Sequence, residues 1–234
     1  EYGYEEVNLN LGCPSGTVVA GGRGAGMLAD VEKLDCFLDQ IFRDTDLRIS
    51  VKTRIGIERP EEGYMLMKIY NQYPVSEVII HPRTRKEYYK GEPHLDVFSE
   101  LLAMSKHPVC YNGNLFTVRD YEQFRARFPQ VERVMIGRGA LGDPWLFERI
   151  NAVLTGQPEP GEPSLNARMS ALRAQIYEMC EEKGEWTAMP QARGQAMHYM
   201  KGLKGAASLR RYCSMLEHFT DVDKLIEAVY KLQG

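Results

Sequence analysis

The chain has 234 residues, of which 44% are hydrophobic and 26% charged, a composition typical of a globular protein with one large core or a medium core and a small partner. It contains no apolar run long enough to span a bilayer, so the sequence predicts no membrane partner. A formal net charge of −3 excludes a general attraction to nucleic acid, and any such binding must come from a local basic patch.

Five cysteines are scattered along the chain, and their spacing bears on metal binding and on location. They form no CxxC pair and no cluster with histidine, so we expect no metal. Their odd number argues against a disulfide framework and, with no signal or transit segment visible, predicts a reducing, cytoplasmic location. They are Cys13, Cys36, Cys110, Cys180 and Cys213.

Short apolar runs alternate with stretches of helical spacing, which predicts an α/β fold. The runs are continuous rather than alternating, as in a parallel sheet that helices cover. Strands are predicted near 6–10, 48–53, 76–81, 108–112 and 133–137. Helices are predicted at Val31–Phe42, Glu61–Tyr73, Leu95–Met104, Val118–Phe128 and Trp145–Leu154.

Unusual polar residues follow the end of each predicted strand, whereas the connections from helix back to strand are plain. An open doubly wound sheet would concentrate its ligands at one switch point. In a (β/α)8 barrel the loops at the carboxyl ends of all strands carry the chemistry. Because all five strand ends are distinctive, we predict a TIM barrel of which about five of eight βα units are present.

The composition changes at "TGQPEPGEPS", where prolines and glycines predict a linker. Only helical patterns follow it, at Leu165–Lys183, Gln191–Leu203, Leu209–Phe219 and Val222–Leu232. We therefore predict a partial barrel at residues 1–154, a linker at 155–164 and an all-helical domain at 165–234.

The stretch "VNLNLGCPSG" places Cys13 between glycine and proline at the end of the first predicted strand. An unperturbed thiol is mostly protonated at neutral pH and can act as a general acid. A small buried cysteine used only for packing is the alternative. The rigid turn favours the catalytic interpretation.

The following segment "GGRGAG", residues 21–26, invites comparison with nucleotide-binding loops. It lacks the GxGxxG order and has no strand immediately before it. We expect a flexible loop near a bulky ligand instead.

Cations recur at the ends of the second and third strands. Lys52 and Arg54 share one face of their strand, where they could point into the barrel mouth and meet an anionic ligand. His81 and Arg83 repeat this spacing and open the loop "HPRTRKEYYKG", whose further cations and two tyrosines predict contacts with phosphates and bases. A solvated charged loop is the alternative.

The last two strands end in glycine-rich polar turns, Asn112-Gly113-Asn114 and Gly137-Arg138-Gly139. In barrels the loops after the last two strands often bind phosphate through backbone N–H groups. This order of turns therefore predicts a phosphate site.

The helical part contains a segregated basic stretch. From Trp186 to Leu216 there are five basic residues and no Asp or Glu, which predicts a nucleic-acid surface. An ordinary solvated helix face is the alternative. The five are Arg193, Lys201, Lys204, Arg210 and Arg211.

Five segments resemble, in content and order, those of the tRNA-dihydrouridine synthases. They are "NLNLGCPSGTVVAGGRGAGML", "VKTRIG", "IHPRTRKEYYKG", "YNGNLFT" and "VMIGRGALGDPWLF". The resemblance implies an FMN enzyme with a TIM barrel and a helical tRNA-binding domain. It implies reduction of specific uridines in tRNA to 5,6-dihydrouridine, with NADPH reducing the flavin.

The resemblance also implies roles for single residues. Hydride would reach C6 of the uracil and Cys13 would protonate C5. The residues implied to hold FMN are Lys52, His81, Asn112, Gly113, Asn114, Gly137 and Arg138. We assign tRNA contacts to Asn10, Arg83, Arg85, Lys204, Arg210 and Arg211, and expect a monomer.

Members of that family begin with three further strand–helix units, so the strands identified here correspond to strands 4–8. We expect a truncation before Glu1 of roughly 75–80 residues, the length of three such units. One alternative function is a flavin barrel that reduces free pyrimidines or other small molecules, for which the helical domain would be unnecessary. Another is an inactive RNA-binding fragment.

Overall fold

A computed structural model describes residues 3–234, and in it five strands form one sheet in chain order. The strands are β1 (Glu6–Leu11), β2 (Arg48–Arg54), β3 (Val78–His81), β4 (Val109–Tyr111) and β5 (Arg133–Val134). Every neighbouring pair is parallel, so the carboxyl ends of the strands lie at one edge. The strands are those predicted, although β5 is shorter than its apolar pattern suggested.

Helices connect the strands, as the βα units of a TIM barrel require. They are α1 (Gly16–Ala20), α2 (Val31–Asp44), α3 (Glu62–Tyr70), α4 (Leu95–Met104) and α5 (Val118–Arg127). A 3-10 helix at Gly24–Ala29 lies between α1 and α2. Neither α1 nor this 3-10 helix was predicted, because their glycines and small residues carry no helical periodicity.

The register of the sheet places two neighbouring rows of side chains on opposite faces. The row that contains Thr53 and Tyr111 faces the helices: the Thr53 hydroxyl lies 3.0 Å from the Tyr70 hydroxyl of α3, and the Tyr111 ring stacks on Phe124 of α5. The adjacent row faces the opposite way, because side chains alternate along each strand. This second row is Asn10, Lys52, Ile79 and Cys110.

The chain continues through helices α6 (Leu146–Leu154), α7 (Leu165–Lys183), α8 (Glu185–Tyr199), α9 (Ala206–Ser214) and α10 (Phe219–Gln233). Helix α7 has its predicted bounds. Helix α8 begins before the predicted start at Gln191, because Pro190 lies inside it instead of preceding it. Buried residues from α7 to α10 form one core, which includes Leu172, Ala192 and Leu225.

The described residues divide into two compact units. One comprises residues 3–115 and 119–136, and the other comprises residues 116–118 and 137–234. Helix α6, which was predicted to belong to the barrel part, therefore falls in the second unit. The functional division into an FMN-binding barrel, a linker and a tRNA-binding domain stays a prediction.

The predicted linker has contacts of its own within the second unit. Residues 157–163 have no helix or strand, but Glu159 and Glu162 lie 4.0 Å and 3.6 Å from the guanidinium of Arg149 on α6. Arg149 is 5% exposed and also pairs with Asp143. The segment is thus tied to α6.

Within residues 3–234, none of the helices combines the length and apolar character that a bilayer crossing requires.

Candidate active site

The turn that carries Cys13 is held against β2 and against the 3-10 helix. A Cβ atom on Gly12 would lie 3.3 Å from the backbone carbon of Thr53, so the end of β1 lies directly on β2. The Gly12 N–H donates to Oδ1 of Asn10 at 3.2 Å, and the Ala25 N–H donates to the Cys13 carbonyl at 3.0 Å. Asn10 therefore stabilises this turn, and its assigned contact with the substrate stays a prediction.

The second half of the glycine-rich segment is packed, whereas residues 21–23 are exposed, and the expected flexibility of the loop stays a prediction. Gly24, Ala25 and Leu28 of the 3-10 helix are buried. Gly24 has a left-handed backbone (φ +54°), and a Cβ atom there would lie 2.9 Å from the Cys13 carbonyl oxygen and 3.0 Å from the Cys13 Cβ. Gly24 and Gly26 thus allow one backbone to lie against another, since a Cβ atom on Gly26 would lie 2.8 Å from the Val19 carbonyl oxygen.

Lys52 pairs with Asn10 in the second row of the sheet. Cys13 follows Asn10 by three residues in the chain. Its side chain is half-buried, and its ammonium has no hydrogen bond or ion pair with any residue of the described range 3–234. Burial is the main cause that lowers the pKa of Lys52, with Arg54 adding to it, while the thiols of Cys110 and Cys13 act in the opposite direction. A desolvated cation in this position favours an anionic partner.

Arg54, unlike Lys52, has hydrogen-bond partners within the described residues. It is 2% exposed, and its guanidinium donates to backbone carbonyls. The two cations of this strand thus differ in their contacts, and the expectation that they meet an anionic ligand stays a prediction.

His81 and Arg83 form a buried pair at the end of β3. Arg83 Nη1 lies 3.0 Å from His81 Nε2, and because arginine can only donate, this nitrogen of His81 accepts. Arg83 also donates to the Lys90 carbonyl at 3.1 Å and to Oδ1 of Asn114 at 3.2 Å. Arg83 is 0% exposed, so its contacts support the loop and His81, whereas its assigned contact with tRNA stays a prediction.

The loop after β3 presents aromatic rings to solvent. Tyr88 is 41% exposed and has a left-handed backbone (φ +53°), which is strained for a residue with a side chain. The guanidinium of Arg85 lies 5.7 Å from the Tyr88 ring centre. Within residues 3–234, Nε of Arg85 is buried without a hydrogen-bond partner.

The turn after β4 joins neighbouring strand ends. Asn112 Nδ2 donates to the Met135 carbonyl at 2.8 Å, and Asn114 Nδ2 donates to Glu92 at 3.2 Å. A Cβ atom on Gly113 would lie 1.9 Å from the Tyr111 hydroxyl, so the packing of Tyr111 requires glycine here. The roles assigned to these three residues in FMN binding stay predictions.

Gly137 and Arg138 belong to the second unit. A Cβ atom on Gly137 would meet no atom within 4 Å, so its surface is open. The guanidinium of Arg138 lies 5.2 Å from the ring centre of Phe116, and Nζ of Lys201 lies 5.7 Å from the same point. Their contact with a flavin phosphate stays a prediction.

A cavity of about 420 Å³ in the second unit is lined by Phe116, Arg138 and Lys201, among other residues. Its cationic walls come from Arg138, Arg168 and Lys201, with His198 nearby, while its carboxylates Asp143 and Glu162 face Arg149. Sequence reasoning missed Phe116, Arg168 and His198. Only the position of Phe116 directly after the Asn112–Asn114 turn could have indicated it.

The predicted basic surface of the helical part is mostly exposed. Lys204, Arg210 and Arg211 are exposed, on a segment whose Leu209 and Cys213 are buried. Arg193 differs, because its Nε donates to the Leu216 carbonyl at 2.8 Å and so joins α8 to the segment before α10. Four of the five cations are thus exposed: Lys204, Arg210, Arg211 and, beside Phe116, Lys201.

The contact of Gly24 with Cys13 leads to a test of the turn. Gly24→Ala should lower the free energy of unfolding by about 1–3 kcal/mol, because it combines a left-handed backbone with a clash against Cys13. Gly16→Ala is the matched control: a Cβ there would meet nothing within 4 Å, so urea unfolding should show no loss of stability. Equal stability of the two variants would contradict the packed turn.

Comparison with known proteins places the chain in a family. The model of the dihydrouridine synthase family matches residues 1–233. The chain is 26% identical to tRNA-dihydrouridine synthase B of Pasteurella multocida, over 87% of this chain and 61% of that protein. It is 29% identical to tRNA-dihydrouridine synthase B of Pseudomonas aeruginosa, over 93% and 65% of the two chains. It is 32% identical to the tRNA-dihydrouridine(16) synthase of Cupriavidus necator, over 76% of this chain and 57% of that protein. The chain thus spans roughly three fifths of these relatives' length. Because the family model matches residues 1–233, the chain belongs to the dihydrouridine synthase family.

Proposed function

We propose that this chain reduces uridine in tRNA to 5,6-dihydrouridine, with FMN as cofactor and NADPH as the reductant of the flavin. The observation that carries the proposal is the half-buried ammonium of Lys52, unpartnered within residues 3–234, beside a thiol on a fixed turn at the carboxyl edge of a parallel sheet. Membership of the family supports the choice of reaction.

The residues at this edge fit an anionic, planar cofactor. Lys52 would lie at the pyrimidine end of the isoalloxazine ring, where negative charge accumulates on reduction. His81 is held in one orientation by Arg83, and Arg85 keeps a buried donor without a partner in the described range. FMN bound here would supply a hydride to C6 of the uracil.

Cys13 would complete the reduction. Its Sγ–H donates a proton to C5, so the C5–C6 double bond gains one hydride and one proton, and the thiolate that remains is reprotonated from water. The turn restricts where the thiol can lie relative to the uracil, which lowers the entropic cost of the proton transfer. The uridine must leave its stack to reach the site.

Binding of tRNA would use local positive charge, because the chain as a whole carries a net charge of −3. Exposed Lys204, Arg210 and Arg211 would contact phosphates. Phe116 with Lys201 and Arg138 offers an aromatic ring beside cations, which suits a stacked base.

The role of Cys13 is tested by Cys13→Ala in the protein loaded with FMN. We expect dihydrouridine formation to fall by about 10²–10⁴-fold, the usual loss for a general acid, while flavin content and NADPH oxidation stay close to normal. Cys36→Ala is the control, because Cys36 is exposed on α2. Near-normal turnover of tRNA in Cys13→Ala would refute the assignment.

The role of Lys52 is tested through the flavin. Lys52→Met removes the positive charge that favours the anionic reduced ring, so we expect the reduction potential of bound FMN to fall. Lys68→Met changes an exposed lysine on α3 and should leave the potential unchanged. An equal or higher potential in Lys52→Met would mean that Lys52 lies away from the flavin.

The basic surface is tested by changing Lys204, Arg210 and Arg211 together to Ala. We expect weaker tRNA binding and a smaller salt dependence, by up to about 0.9 in log–log slope for each lost phosphate contact. The control replaces Lys33, Lys68 and Lys106, which are exposed in the other unit, and removes the same charge. If the two triple variants bind tRNA equally, the effect is one of total charge and the surface lies elsewhere.

A further inference from the structure

We infer that Arg54 is a positioning residue, which holds the Cys13 turn in place and joins it to the loop after β3. Its catalytic meaning rests on the function proposed above. The structural part of the inference stands on contacts within the first unit alone.

Arg54 is buried in an unusual way. It is 2% exposed, and among residues 3–234 none of the ion pairs involves it. Its Nε donates to the Gly12 carbonyl at 3.0 Å and its Nη1 donates to the Thr84 carbonyl at 2.8 Å. A buried guanidinium that forms no ion pair is costly, so hydrogen bonds to these two carbonyls compensate for its burial, together with the nearby Tyr89 and Glu87.

The first of these contacts acts directly on Cys13. The peptide before Cys13 is fixed through the Gly12 carbonyl, which accepts from Arg54, and the peptide after it is fixed through the Cys13 carbonyl, which accepts from Ala25. Both peptide planes around the cysteine are therefore held, and the side chain keeps only rotation about its own bonds. A proton donor needs this restriction to meet one carbon of a stacked ring.

The second contact extends the restraint to a neighbouring loop. Thr84 belongs to the loop that begins at His81, and its N–H donates to Glu87 at 2.6 Å. Tyr89 of the same loop covers Arg54, with its ring centre 5.6 Å from the guanidinium carbon and 6.2 Å from the His81 ring centre. A movement of this loop would therefore be transmitted to the Cys13 turn through one side chain.

Lysine cannot replace this residue. A guanidinium presents Nε and Nη1 in a fixed plane, which lets one side chain bridge two carbonyls from different loops. An ammonium is a compact donor on a flexible stem and would retain the charge without the bridge. Arg54→Lys thus separates the geometric role from the electrostatic one.

The test measures backbone hydrogen–deuterium exchange in peptides covering residues 10–26 and 82–90. In Arg54→Met and Arg54→Lys we expect both regions to exchange faster by about tenfold or more, as a lost hydrogen bond to a charged group implies. Arg48→Met is the control, since Arg48 lies on the same strand with its side chain 66% exposed. Exchange in peptides from α7 should stay at the wild-type rate, and faster exchange there would show that the variant is unfolded throughout.

Steady-state kinetics complete the test. Arg54→Lys should lower kcat by about tenfold and leave KM for tRNA within about threefold, because a misplaced acid affects the transition state more than binding. Exchange that stays within about twofold of wild type in both regions would overturn the inference. A raised KM with unchanged exchange would also overturn it, in favour of direct tRNA contact. If the proposed reaction itself proves wrong, the exchange result still decides the structural role.

Discussion

The parallel register of five strands is the constraint on which the site depends. Because β1 to β5 run in the same direction and in chain order, their carboxyl ends meet at one edge, and residues far apart in the chain become neighbours there. Asn10 pairs with Lys52 across β1 and β2, and Arg54 pairs with His81 across β2 and β3. The chemistry of this edge follows from which residue ends each strand.

The cations at this edge differ in whether the described residues supply their hydrogen-bond partners. Arg54 and Arg83 are buried and donate to backbone carbonyls or to neighbouring side chains, so they build the loops. The ammonium of Lys52 has no hydrogen-bond or ion-pair partner among residues 3–234, and the buried Nε of Arg85 has no hydrogen-bond partner there. Two cations at spacing two on one strand thus have different contacts, since Arg54 reaches carbonyls of adjacent loops and Lys52 does not.

The sequence predicted elements with strong periodicity and missed those that tertiary contacts determine. Helix α4 has its predicted bounds, and helix α7 does because Ser164 caps its start and Gly184, with φ +76°, ends it. The glycine-rich segment was expected to be flexible, although its small residues pack on Cys13. Exposure was the hardest property to predict: nothing local distinguishes Arg54 from Lys52, because the carbonyls that bind Arg54 come from residues 42 and 30 positions away.

The row that contains Lys52 also contains a second sulfur, that of Cys110 two strands away. Burial, with a smaller contribution from Glu77, raises the pKa of the Cys110 thiol to about 12, and the residue is 5% exposed. Oxidants and alkylating reagents attack thiolates that they can reach, and Cys110 is neither ionised at neutral pH nor accessible. Burial thus disfavours reaction of this thiol, and we expect a covalent probe aimed at the carboxyl edge to label Cys110 poorly.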